Sequence, residues 1–125
     1  MKGQASLEYL LMSAVGIGLI GLSLISLSAI KSAMDRNIEI SRFRESSELL
    51  HQAVLSVCAA GSGNVRPVEL RVPLSVRSEQ SEDGWIIGYE GADLSRADFS
   101  PCEMEDSELE GRALIKNEEG KIRAR

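Results

Sequence analysis

From Tyr9 to Ile30 the chain runs for 22 residues without a charged side chain, and beyond Met12 that run uses only Leu, Ile, Val, Ala, Gly and Ser. As a helix rising 1.5 Å per residue, such a segment spans a hydrocarbon layer of about 30 Å. Only Lys2 and Glu8 carry charge before it, and all other charges follow it. A chain of 125 residues therefore reads as one membrane-length segment plus one compact domain, too short for two ordinary domains. The formal net charge of -5 argues against nucleic acid as the main partner, because neutralising phosphates requires a net basic face.

No proline interrupts the stretch that follows. Met34, Ile38, Phe43, Leu50, Val54 and Val57 recur at roughly helical spacing among Asp35, Arg36, Glu39, Arg42, Arg44, Glu45 and Glu48. One helix is expected from about Gln4 to Ala60, roughly 85 Å long at the standard rise, ending at Gly61-Ser62-Gly63-Asn64. Beyond the stop, Val68, Leu70, Val72, Leu74 and Val76 alternate with polar residues and Pro73, the period of a half-buried strand. The polar run Ser78 to Gly84 then leads to a second short strand, Trp85 to Tyr89, giving a hairpin. A second hairpin is expected from Arg112–Lys116 and Lys121–Arg125 around Asn117-Glu118-Glu119-Gly120. Ala92 to Glu110 reads mostly as loop, pinned by Cys102. The expected class is α+β: a long N-terminal helix packed on a small antiparallel sheet, with Leu50, Val54 and Val57 covering the sheet's apolar face.

Met1-Lys2-Gly3 is too short and too weakly charged for the start of an ordinary secretory signal, and Glu8 stands at the edge of the apolar run. The segment Lys2-Gly3-Gln4-Ala5-Ser6-Leu7-Glu8-Tyr9-Leu10-Leu11-Met12 resembles the class III signal peptide of archaeal type IV pilin-like proteins, in which Lys/Arg-Gly precedes Gln-x-Ser-x-Glu-x-x-x-Leu. Lys2, Gly3, Gln4, Ser6 and Glu8 match; Met12 replaces the usual Leu, a volume-conserving change. The motif covers the first dozen residues. The resemblance implies a long helix carrying a small β-rich head, and a membrane prepilin peptidase that cuts after Gly3 and leaves the apolar segment on the mature chain. Gln4 would then be the first residue. The chain would divide into a leader at 1–3, a transmembrane and filament-core helix at 4–30, an amphipathic helix at 31–60, and an extracellular head at 61–125. It further implies that Glu8 meets the amine of a neighbouring subunit's Gln4, since a carboxylate in an apolar assembly is costly unless paired. The competing role for Glu8 is to sit in the headgroup zone, and cyclisation of Gln4 would weaken the ion pair.

Cys58 and Cys102 lack the neighbours of a zinc or redox site. In an exported chain one disulfide is the simplest pairing, with two buried free thiols as the alternative. Gly16-Ile17-Gly18-Leu19-Ile20-Gly21 matches GxGxxG, but it follows no strand and lies within the apolar run. Ala14 and Gly18 read instead as a small-xxx-small pair for close helix packing. His51 has no second base or nucleophile arranged around it, and reads as a satisfied or solvated surface histidine. The acidic run Glu103, Glu105, Asp106, Glu108 and Glu110 lacks EF-hand spacing and reads as a solvated face rather than a calcium site. Asn37, Asn64 and Asn117 are not N-glycan acceptors.

Lys31, Arg36, Arg42 and Arg44 follow the apolar run and only Lys2 precedes it, so counting cations alone would leave the head in the cytoplasm. Interspersed acids and the need for cytoplasmic access at Gly3 favour the opposite orientation. The expected function is a structural subunit, major or minor, of an archaeal type IV-like surface filament used in adhesion, with no catalytic chemistry and no cofactor. Its expected partners are the prepilin peptidase, other pilin subunits, the pilus assembly machinery and, before assembly, the membrane. The alternative is a monomeric bitopic membrane protein with an extracytoplasmic binding head.

Overall fold

A computed structural model describes residues 2–125; Met1 of the expected leader and the side chain of Lys2 lie outside what it describes. One helix, α1, runs from Lys2 to Ala60, and eight strands follow. The chain divides into two compact units, residues 1–37 and 38–125.

In the second unit α1 presents Phe43, Ser46, Ser47, Leu50, Ala53, Val54 and Val57, a stripe at three- and four-residue spacing that is buried along its length. The fold is α+β, with this stripe packed on β-sheet as expected. The sheet is not single. Strands β1 (Val65–Glu69), β7 (Arg112–Glu118), β8 (Lys121–Ala124) and β5 (Glu103–Met104) form one four-stranded sheet in that order. Strands β4 (Leu94–Ser100), β3 (Gly84–Gly91), β2 (Leu74–Ser81) and β6 (Ser107–Leu109) form the other. All pairs are antiparallel except β5 with β8. Val68, Met104, Ala113, Ile115 and Ile122 from the first sheet and Leu74, Val76, Ile87, Tyr89 and Leu109 from the second join the helix stripe in one core. A fully buried aliphatic side chain such as Leu50, Ile87 or Ile115 contributes about 1.5–3 kcal/mol over an exposed one.

Two expected elements need correction. The alternation from Val68 to Val76 is real as burial, since Val68, Leu70, Leu74 and Val76 are all buried, but it is not one strand. The ladder breaks at residues 70–73. There the amide of Leu70 donates to Gly111 O (2.7 Å) and that of Arg71 to Ser46 Oγ (3.1 Å), while Pro73 has no amide to donate. The break lets β1 serve one sheet and β2 the other. Ala92–Glu110, expected mostly as loop, contains β4, β5 and β6. Strand β4 pairs with β3 over its whole length, through a two-residue turn in which Ala92 and Asp93 both take positive φ (50° and 58°). Beside this turn the backbone needs Gly91, because a Cβ there would lie 2.6 Å from Pro73 O. Both expected hairpins form, β2–β3 and β7–β8; β3 and β7 run longer than the sequence pattern indicated, β8 is one residue shorter, and the connections shrink to residues 82–83 and 119–120, so that most of the polar run from Ser78 is strand.

Candidate functional site

From Leu7 to Ile30 every large apolar side chain of α1 is more than half exposed, between 55% and 76%. The segment is apolar all round rather than striped, and it is long and apolar enough to cross a membrane. Its polar side chains beyond Tyr9 are four serines, and each hydroxyl is satisfied within the helix. Ser13 donates to Tyr9 O, Ser23 to Leu19 O and Ser26 to Leu22 O, each at 2.9 Å, and Ser28 donates to Ile25 O at 2.8 Å. Back-bonding of this kind leaves no unmet hydroxyl facing an apolar surrounding.

Gly3, Gln4, Glu8, Ala14 and Gly18 all lie on this helix and all are exposed. A Cβ added at Gly3, Gly16, Gly18 or Gly21 would meet nothing within 4 Å, so the small residues leave open surface where another helix could approach closely. Glu8 takes part in none of the ion pairs found among the described residues. GxGxxG falls in mid-helix, without the strand and turn that would let it cradle a phosphate.

Cys58 and Cys102 are joined by a disulfide, their Cα atoms 6.0 Å apart. It ties the last turn of α1 to the turn that leaves β4, where Ser100 Oγ both donates to Cys102 O and accepts from its amide. The same helix end is held by two asparagines. Asn64 Nδ2 donates to Ala60 O (2.8 Å), and Asn117, almost fully buried, donates to Val57 O (3.2 Å) while its Oδ1 accepts from Gly120 N (2.9 Å). Sequence reasoning treated Asn117 only as a turn residue. Its alternation with Ala113 and Ile115 on one face of β7 was the available signal that it points inward.

His51 is not a surface residue: it is 8% exposed, and its Nδ1 lies 2.8 Å from the hydroxyl of fully buried Tyr89. Arg96 lies close by, with Nη1 2.6 Å from Glu48 Oε2 and Nε 2.5 Å from Asp98 Oδ2. Burial holds His51 below the ordinary histidine value, with Asp98 and Glu48 opposing and Arg96 reinforcing that shift. Burial first, then Asp98, pushes Tyr89 far above the ordinary tyrosine range. The hydrogen bond to Arg96, then that to Gln52, lowers Glu48. A group whose folded pKa is depressed binds its proton more readily when unfolded. The contribution of neutral His51 is therefore complete above about pH 6.5 and is lost as pH falls through its folded value. We expect thermal stability to fall between pH 7 and pH 5, a window above the range in which Glu48 protonates. His51→Gln should flatten that decline; equal slopes for the two proteins would remove His51 as its cause.

Three members of the acidic run are engaged one by one, while Glu108 and Glu110 enter no ion pair among the described residues. Glu103 meets Lys121 (3.1 Å), Glu105 meets Arg123 (2.9 Å), and Asp106 accepts from Ser78 N (3.0 Å). Among the described residues no group of three or more His, Cys, Asp or Glu side chains is placed to hold a metal ion. Comparison with family profiles, with curated proteins and with solved structures finds no match.

Proposed function

We propose that this chain is a structural subunit of an archaeal type IV-like surface filament, clipped after Gly3 and held in the filament by α1. The observation that carries the reading is the charge-free helix surface from Tyr9 to Ile30, apolar on every side, preceded by Lys2-Gly3-Gln4-x-Ser-x-Glu8. A surface of this size has to be covered, first by lipid and then by the same segment of other subunits. The four back-bonded serines suit both surroundings, and the Ala14–Gly18 pair gives neighbouring helices a place for close approach. The amino terminus lies in the cytoplasm, where the peptidase reaches Gly3, and the head lies outside, where a disulfide persists.

The test is the mature terminus together with the state of assembly. Peptide mass spectrometry of the membrane and surface fractions should find a chain that begins at Gln4 and retains Tyr9–Ile30, and electron microscopy should find filaments that vanish with the gene. A mature chain starting after Ser28 would sink the proposal. A detergent-dispersed monomer with no surface filament would favour the bitopic binding head instead.

A further inference from the structure

Each four-stranded sheet ends in two edge strands, and three of these edges are poor templates for a further strand. Strands β5 and β6 are only two and three residues long. In β1 the bonds from Asn117 N to Asn64 O and from Leu70 N to Gly111 O turn the even-numbered residues toward β7, so Pro67 sits where the open edge would need an amide. Strand β4 is different: it is seven residues long and paired with β3 throughout, without proline, lysine or bulge. Its two-residue turn makes Gly91 and Leu94 a hydrogen-bonded pair, so Arg96, Asp98 and Ser100 also bond to β3. The amides and carbonyls of Ser95, Ala97 and Phe99 therefore point out of the sheet edge, and no other backbone meets them among the described residues. All three residues are exposed, Phe99 by 52%.

The strand is complementary to itself. Laid antiparallel on a second β4 and centred on Ala97, it sets Ser95 against Phe99 of the other copy and Ala97 against Ala97, which gives every free amide and carbonyl of the three a partner in about six hydrogen bonds. The same register places Arg96 opposite Asp98 of the other copy, so each guanidinium gains a further carboxylate beside those of its own Glu48 and Asp98. Sliding one strand by the two residues that restore the bonding pattern opposes Arg96 to Arg96 or Asp98 to Asp98. On the outer face the Phe99 rings flank the Ala97 pair and carry the patch of Ile86 and Phe99 across the joint. The nearest charge there is Glu90, beside Ser95, and the two β3 strands that bear it lie three strand spacings apart, about 14 Å. On the inner face α1 leaves room: through His51 it rests on fully buried Tyr89 of β3, while the side chains of Arg96 and Asp98 on β4 remain 28% and 27% exposed.

We infer that β4 is a docking edge for β4 of a second copy, joining two heads through one continuous sheet. The occupant is a second copy because the register that satisfies the free backbone groups is also the one that sets Arg96 against Asp98, and one strand carries both. The pairing is two-fold and closes at two copies. Its direction follows from the packing of α1. Phe43 lies beside Gly91, Glu48 meets Arg96 and Cys58 is bonded to Cys102, so α1 runs along β4 in the same sense. Opposed β4 strands therefore turn the helical segments 38–60 of the two copies in opposite directions. Subunits of one filament share one direction, so this contact ties filament to filament. The contact stands on the head alone, and that last consequence rests on the filament reading.

The experiment uses the full chain, in surface filaments and in detergent. Chains with Ser95→Cys mixed with chains with Phe99→Cys should form a disulfide between positions 95 and 99 under mild oxidation. Either variant alone should give about tenfold less, because like positions lie four residues out of register. Ala97→Pro added to both chains should cut the 95–99 product by about tenfold, since it removes an amide that β3 does not use and leaves the hairpin bonded. Ala97→Lys, which sets two cations face to face, should do the same. An intact Cys58–Cys102 bond confirms that the head of each variant has folded. Electron microscopy should find single filaments with either change at 97 where the unaltered chain gives filaments side by side. Self-linking of 95 or 99 equal to the mixed product, no 95–99 product, a product that neither change at 97 reduces, or side-by-side filaments that persist with both changes each overturn the contact, while filaments in the same preparation keep the filament reading. The 95–99 product from a chain that builds no filaments keeps the contact and overturns the filament reading. Neither product nor filaments removes both.

Discussion

Glu8→Ala should leave a chain that inserts and is clipped but builds few or no filaments. Insertion becomes easier when a charge leaves the apolar segment. Assembly suffers because, in the proposed filament, the amine of a neighbouring Gln4 would lie in an apolar surrounding without its counter-charge. The defect is about 3–5 kcal/mol for a fully desolvated pair and smaller where water reaches it. Glu8→Gln keeps the size and one acceptor oxygen yet should be nearly as defective, because the missing element is the charge. Filament counts by electron microscopy, set beside the amount of clipped protein in the membrane, separate assembly from processing. Normal filament numbers with Glu8→Ala would make Glu8 a headgroup-zone residue or a peptidase recognition element.

The next largest effect should come from cutting the Cys58–Cys102 bond. It closes a loop of 44 residues, and on the chain-entropy model such a closure is worth about 4 kcal/mol. Reduction, or Cys58→Ser with Cys102→Ser, should lower the melting temperature of the head by about 15 °C or more, given about 4–8 °C per kcal/mol in a domain of this size. The loss extends past entropy, since the bond also holds the turn leaving β4 against the last turn of α1. Calorimetry with and without reductant measures it. An unchanged midpoint would mean that the buried contacts of Val57 and Asn117 alone secure the helix end.

Residues governed by local periodicity were legible before the fold was known. The helix and its stop at Gly61, the stripe through Leu50, Val54 and Val57, and both hairpins follow from spacing and turn chemistry within short windows, while the Cys58–Cys102 pair was expected only because the chain has just these two cysteines. What escaped depended on distant partners. The split of Val68–Val76 between two sheets is caused by Ser46 and Gly111 taking the amides of Arg71 and Leu70. Neither is near in sequence. Strand β4 was hidden because its outward positions are Ser95, Ala97 and Phe99 and its inward ones include the ion-paired Arg96 and Asp98, a pattern with little apolar alternation. His51 looked like a surface residue because its partner Tyr89 is 38 positions away. The apolar half of α1 was legible in the opposite sense. Its signal lies in residues that the folded chain leaves uncovered.

The fastening at the end of α1 has a mechanical consequence. Within about one turn, the helix is joined to the turn leaving β4 by a covalent bond and to the β7–β8 hairpin by Asn117, with Asn64 closing the terminal carbonyls. A pull along the helix axis loads these ties together with the buried seam from Phe43 to Val57, in shear and in parallel, so they cannot be peeled one after another. If the seam yields, the disulfide still bears the load. The backbone keeps head and helix joined in any case; what the disulfide adds is that the turn leaving β4 stays beside the last turn of α1 when packing is lost, so that the head can seat again when the tension is released.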